Sequence, residues 1–174
     1  MSPRVSQVEA VVLRMHDELA VHERFMREAL HEARLAVQTA DVPVGAVVVV
    51  EGRIVGRGRN QREALADPTA HAEVVALRAA AQQLGTWRLT EATLYVTLEP
   101  CIMCVGAAVL SRIRCLVFAC HDPKNGACGS QFDIVGARRL NHTFPVIAGV
   151  CQEEASALLS TFFRRLRQKE AAKR

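Results

Sequence analysis

The first hundred residues of this 174-residue chain contain no cysteine; all six lie between Cys101 and Cys151. A disulfide framework spanning the fold is therefore not expected, and closely spaced thiols point instead to metal binding or redox chemistry. No apolar run approaches the roughly 20 residues needed to cross a bilayer. Glu9, Arg14, Asp17 and Glu18 interrupt any apolar segment near the N-terminus, so a secretory signal is not expected there. There is no internal repeat and no Pro/Gly/Ser-rich linker. With half of its residues hydrophobic, the chain is long enough for one well-packed domain, and a cytoplasmic location is the default expectation.

Charge is unevenly spread. The net +4 comes from 22 basic and 18 acidic residues. From Arg164 to Arg174, six basic residues against one acid give +5, while the sixteen basic and seventeen acidic residues elsewhere give −1. Such an ending is either an electrostatic footprint for nucleic acid, with Arg164, Arg165 and Arg167 as RNA contacts, or a solvated helix terminus.

Apolar residues at helical spacing predict a helix over His22–Gln38, stopped by Asp41-Val42-Pro43. Residues 1–18 read as an N-terminal extension, either a short helix around Val8–Leu13 or a mobile arm. The domain itself is expected to span 19–170. Ala46–Val50 and Ile54–Arg59 flank Glu51-Gly52 as a β-hairpin. Asp67-Pro68-Thr69 signals a helix over Ala70–Leu84. Thr93–Leu98 reads as a strand, Glu99-Pro100 as the opening of a helix to Leu110, and Arg114–Ala119 as another strand. His121–Phe144 is loop-rich, Pro145–Ala148 a short strand, and Gln152–Lys169 a final helix. Alternating helices and strands predict a three-layer α/β/α sandwich around a mixed sheet of about five strands.

Two segments carry chemistry. In Pro100-Cys101-Ile102-Met103-Cys104 the cysteines stand three apart at a helix start, where the macrodipole and free N–H groups favour thiolates. Thiolate and imidazole suit zinc, and His71, at the start of its own helix, supplies the imidazole. No fourth Cys or His stands at a motif-like spacing. Three ligands leave a position for water, whose pKa zinc can lower to about 7. Glu73 lies roughly 200° around the helix from His71. The two converge only on a point beyond the helix end, which makes Glu73 a proton shuttle rather than a ligand. Each half alone has a plainer reading, as a buried hydrogen-bonded histidine or a thioredoxin-like redox pair. Together and in order they form the His-x-Glu…Pro-Cys-x-x-Cys signature of zinc nucleobase deaminases. The remaining cysteines, Cys115, Cys120, Cys128 and Cys151, read as small apolar side chains.

The chain resembles the bacterial tRNA-specific adenosine deaminases from about His22 to Arg167. The resemblance rests on Asp41–Val48 (DVPVGAVV), Asp67–Leu77 (DPTAHAEVVAL), Ala92–Val105 (ATLYVTLEPCIMCV), Asp122–Ser130 (DPKNGACGS) and Glu154–Arg167 (EASALLSTFFRRLR). It implies a cytidine-deaminase-like fold, a homodimer, one zinc per subunit and hydrolysis of the wobble adenosine in a tRNA anticodon loop to inosine. It further implies substrate contacts from Asn60, the backbone of Ala72, and Asp122 near a ribose 2′-OH. Loop capping is the plainer role for Asn60 and Asp122. His121 stands where the best-known relatives carry arginine. Deaminases of free cytosine, guanine or deoxycytidylate share the metal logic; the flanking stretches and the basic ending favour tRNA. A binding module without catalysis would be expected to lack Glu73 or the open metal position. Ile102, Met103, Val105, Ala107, Ala108, Val109 and Leu110 make their helix apolar nearly all round, which predicts a second face buried against a twin subunit. Phe162 and Phe163 are expected to pack the final helix.

Overall fold

A computed structural model describes residues 7–137 and 139–172, with side chains from residue 15 onward. The elements are α1 (Gln7–Ala36), a 3₁₀ turn (Val37–Thr39), β1 (Gly45–Val50), β2 (Arg53–Arg59), α2 (Arg62–Leu65), α3 (Ala72–Leu84), β3 (Thr93–Leu98), α4 (Ile102–Leu110), β4 (Cys115–Cys120), β5 (Val146–Ala148) and α5 (Gln152–Ala171). The five strands form one mixed sheet in the order β2-β1-β3-β4-β5. β1 runs antiparallel to both neighbours, and β3, β4 and β5 are mutually parallel.

The near-continuous apolar run of β1 is explained by burial on both faces. Alternate side chains leave a strand on opposite sides. Val47 and Val49, with Tyr95 and Val117, meet Phe25, Met26, Ala29 and Leu30 of α1 and Ala155 of α5. Ala46 and Val48, with Leu94, Val96, Leu116 and Phe118, meet Ala72, Ala76 and Ala80 of α3 and Val105, Ala108 and Val109 of α4. These two clusters are the two cores of the expected three-layer sandwich. Met26 and Leu30 have no exposed surface, and each such burial contributes roughly 1.5–3 kcal/mol.

Several expected boundaries move. The first helix begins at Gln7 rather than His22, and no break separates the expected extension from the domain. The segment contains no proline or glycine and is rich in Ala, Leu, Glu, Arg and Met, so nothing stops the helix. Residues 1–6 lie outside the described residues. The helices expected from Ala70 and Glu99 start later, at Ala72 and Ile102. Asp67 caps a turn, accepting from the Thr69 N–H at 2.8 Å and its hydroxyl at 2.7 Å, rather than a helix. His71 and Cys101 are both extended, with ψ of 151° and 174°. The four-residue α2 has no counterpart in the sequence reading.

α3 lies unusually close to the hairpin. A Cβ on Gly58 would sit 2.2 Å from the carbonyl oxygen of Ala72 and 2.5 Å from the Ala76 nitrogen. Only hydrogen at this position lets the first turn of α3 rest on β2. Gly58→Ala is expected to cost roughly 1–3 kcal/mol or more by overpacking, and to displace the start of α3. Thermal denaturation should show the loss, and metal content should fall with it.

Candidate active site

β3 and β4 end side by side and deliver the two halves of the site. β3 leads through Glu99-Pro100-Cys101 into α4, and β4 leads into His121-Asp122. In parallel sheets this carboxyl end is where ligands are generally bound. His71 and Cys101 each occupy the N-cap position of a helix, their carbonyls accepting from Val75 at 3.0 Å and Val105 at 2.9 Å. Cys104 follows in the first turn of α4. Nδ1 of His71 lies 3.7 Å from Cys101 Sγ and 3.5 Å from Cys104 Sγ. Bond lengths of about 2.0–2.1 Å to nitrogen and about 2.3 Å to sulfur give a tetrahedral N···S edge of about 3.6 Å. The three donors, all within 4.8 Å of one another, therefore fit a tetrahedral metal ion.

The local electrostatics follow from burial and sulfur contacts. A hydrogen bond from Cys104, aided by His71, holds the Cys101 thiol down at about 4. The same contact, with burial, pushes Cys104 up. The contact with Cys101 raises His71. Glu73, on the second residue of α3 and only 4% exposed, is pushed by burial up to about 7. A carboxyl in that range can both take and give a proton at neutral pH.

A cavity of about 640 Å³ opens over these groups. Its wall includes Glu73, His71 and Cys101 together with the expected substrate contacts Asn60, Ala72 and Asp122. Ala72 is the first helical residue, so its N–H has no partner within α3. Asn60 is 7% exposed; its Nδ2 donates to the Val42 carbonyl at 3.2 Å. Its Oδ1 is buried with no partner among the described residues. An unmatched buried acceptor costs about 1–3 kcal/mol unless a ligand donates to it. Asp122 does cap its loop: Oδ1 accepts from the N–H groups of Lys124 at 2.9 Å and Asn125 at 3.2 Å. It also lines the cavity, so the two readings coexist.

Arg164, Arg165 and Arg167 are exposed on α5 and do not line the cavity. Phe163, expected to be core, is 40% exposed and lines it, as does Leu159 one turn earlier. Phe162 is half-buried and stacks edge-on against Phe163. The basic groups on the cavity wall are Arg62 and Lys124, which sequence reasoning missed. Nothing marked Arg62, since α2 itself went unread; Lys124 stood in the quoted DPKNGACGS stretch without a role. Of the other cysteines, Cys120 is buried and donates to the Thr97 carbonyl at 3.3 Å, while Cys115, Cys128 and Cys151 are half-buried.

The sandwich, with a His/Cys/Cys cluster and a buried glutamate at the carboxyl end of its parallel strands, defines a deaminase. The MafB19-like deaminase family model matches residues 20–167. The tRNA-specific adenosine deaminase of Bacillus subtilis is 48% identical over 87% of this chain and 94% of its own. That of Haemophilus influenzae is 48% identical over 85% and 86%. A solved tRNA:A34 deaminase, studied for A-to-I editing at the wobble position of transfer RNA, superposes with a TM-score of 0.76 at 43% identity. It covers 78% of this chain and 99% of its own. The guanine deaminase of Nitrosomonas europaea superposes less closely, with a TM-score of 0.68 at 28% identity, over 80% and 83%. The chain belongs to the family of tRNA-specific adenosine deaminases.

Proposed function

We infer that this chain hydrolyses the wobble adenosine of a tRNA anticodon to inosine, with water entering at C6 and ammonia leaving. The observation that carries the reading is the cavity that joins the His71/Cys101/Cys104 cluster and Glu73 to the unmatched acceptor of Asn60. The donor set suits one zinc per chain, which when bound supplies a Lewis acid that makes water nucleophilic near neutral pH. Glu73 holds the proton taken from that water and passes protons to the ring nitrogen and the departing amine. The Asn60 amide orients the nucleoside. Asp122, with Oδ1 engaged by its own loop, offers Oδ2 to a ribose 2′-OH, which favours RNA. The anticodon loop is single-stranded, so bringing its base into the cavity costs less than opening a duplex. No described helix is long and apolar enough to cross a membrane. A tRNA substrate suits the cytoplasm.

Glu73→Gln is expected to retain one zinc per chain by elemental analysis while turnover on an anticodon stem-loop falls roughly 10²–10⁴-fold. His71→Ala and Cys101→Ser should lose the zinc itself. Guanine, free adenosine and deoxycytidylate serve as parallel substrates. Faster turnover of guanine than of the stem-loop would favour the activity of the Nitrosomonas europaea relative instead.

The basic face of α5 is assigned to RNA phosphates, because it continues directly from Phe163 on the cavity wall. Replacing Arg164, Arg165 and Arg167 together by glutamine should weaken stem-loop binding and flatten its salt dependence by about 0.7–0.9 log units per lost contact. Zinc content should not change. An unaltered salt slope would reduce this face to a solvated helix end.

A homodimer is proposed from α4. Ile102 is 48% exposed and Leu110 68%, and with Gly106 between them they form one stripe pointing away from the core. Sedimentation at micromolar concentration should show a dimer that Ile102→Asp with Leu110→Asp dissociates; a monomeric wild-type chain would refute the assignment.

A further inference from the structure

Glu99 is a buried carboxylate that the mechanism above does not use. It is 2% exposed and stands between the last residue of β3 and Pro100. Its main-chain N–H donates to the Cys120 carbonyl of β4 at 2.8 Å, and every hydrogen bond of its carboxylate runs to the segment after β4. Oε1 accepts from the N–H groups of Cys128 at 2.9 Å and Ser130 at 3.1 Å. Oε2 accepts from the Asp122 N–H at 3.1 Å, from the Ser130 hydroxyl, and from His121 Nδ1 at 3.2 Å. Three main-chain N–H groups, one hydroxyl and one imidazole thus converge on a single side chain. A Cβ on Gly126 would sit 2.4 Å from the Glu99 carboxyl carbon, so the loop closes around the carboxylate with no room to spare. Two further links fasten the loop to the stretch carrying Glu99: Ala127 N–H donates to the Pro100 carbonyl at 2.8 Å, and Gly126 forms a β-bridge with Cys101.

The segment so held lines the cavity, as does Glu99 itself. His121, Asp122, Lys124 and Asn125 all line it. Asp122 is held twice, through its own N–H to Glu99 and through its Oδ1 to the turn that follows. Charge-assisted bonds from main-chain N–H groups to a carboxylate are about twice as strong as neutral ones and fix geometry as well as energy. A loop with few apolar anchors would otherwise be free to sample many conformations, each of which would have to be given up when RNA binds.

We propose that Glu99 is a positioning residue for the substrate: its carboxylate pre-forms the 121–130 loop so that Asp122, Lys124 and Asn125 are in place before the RNA arrives. The proposal rests on the reading of the cavity as an RNA site. It predicts an effect on substrate affinity, not on the chemical step or the metal. An uncharged amide at this position keeps one acceptor but turns its own N–H₂ toward groups that are themselves donors.

Glu99→Gln and Ser130→Ala are compared with the wild-type chain on an anticodon stem-loop carrying adenosine at the wobble position. For Glu99→Gln, KM should rise tenfold or more (about 1.4 kcal/mol) while kcat stays within about twofold, as expected for lost uniform binding. Zinc should remain at one per chain. Ser130→Ala, which removes one donor and lies far in sequence from the metal ligands, should raise KM by a smaller factor with kcat again retained. Amide hydrogen exchange of the free proteins should show faster exchange at Asp122, Cys128 and Ser130, with α3 and α4 as protected as in the wild type. An unchanged KM, a kcat falling with zinc retained, or loss of zinc from Glu99→Gln would each overturn the proposal. If Glu99→Gln does not fold, Ser130→Ala decides, and an unchanged KM there is equally fatal. Absence of stem-loop turnover by the wild-type chain would instead remove the reading on which the proposal stands.

Discussion

His71 and Cys101 each stand one residue before a helix, and the site depends on those two helix starts meeting. A helix N-terminus presents unpaired N–H groups and partial positive charge. Two of them aimed at one point favour negative charge on the groups they face, although at Glu73 burial outweighs this and pushes the carboxyl up to about 7. The meeting is set by backbone packing. β3 and β4 fix where α4 begins, while α3 is seated on the hairpin through contacts so close that Gly58 can carry no side chain. The chemical groups are therefore borne on the ends of rigid elements rather than on the loops between them.

This arrangement also resolves an apparent conflict between His71 and Glu73. Two residues apart on a helix, they would point in nearly opposite directions. His71, however, has extended backbone geometry and lies outside the helix, while Glu73 lies inside it on the buried side. The change of backbone conformation between them lets both line one cavity. The burial that brings Glu73 there also moves its pKa to about 7, so position and protonation have one cause.

The layers, the strand number and the metal cluster were legible in the sequence because each rests on a short-range signal. β1 is an unbroken apolar run, and the cysteines fall at a helical interval beside a proline. Helix starts were read too early at Ala70 and Glu99: Asp67 caps a turn instead, and the chain stays non-helical from Pro100 through the extended Cys101 before α4 begins. The long reach of α1 was not read, although Val8, Val12, Met15 and Leu19 of its first half fall at helical spacing: that stretch was taken as a short helix around Val8–Leu13 or an arm, separate from the domain. Arg62 and Phe163 became part of the site only through tertiary proximity. Glu99 stood inside the quoted motif without a role, because its four partner residues lie more than twenty residues away, and no local pattern encodes such a pairing.

The two outer strands of the sheet have a consequence for behaviour in solution. An outer strand exposes unpaired main-chain groups that can recruit strands from other molecules. β2 carries Arg53, Arg57 and Arg59 and is interrupted by Gly56 and Gly58; Arg57 and Arg59 are paired with Glu28 and Glu32 of α1. β5 is only three residues long. One border is thus guarded by charge and the other by brevity, so the strongly β-forming run of Val47–Val50 is kept enclosed between β2 and β3 rather than offered as a template for aggregation.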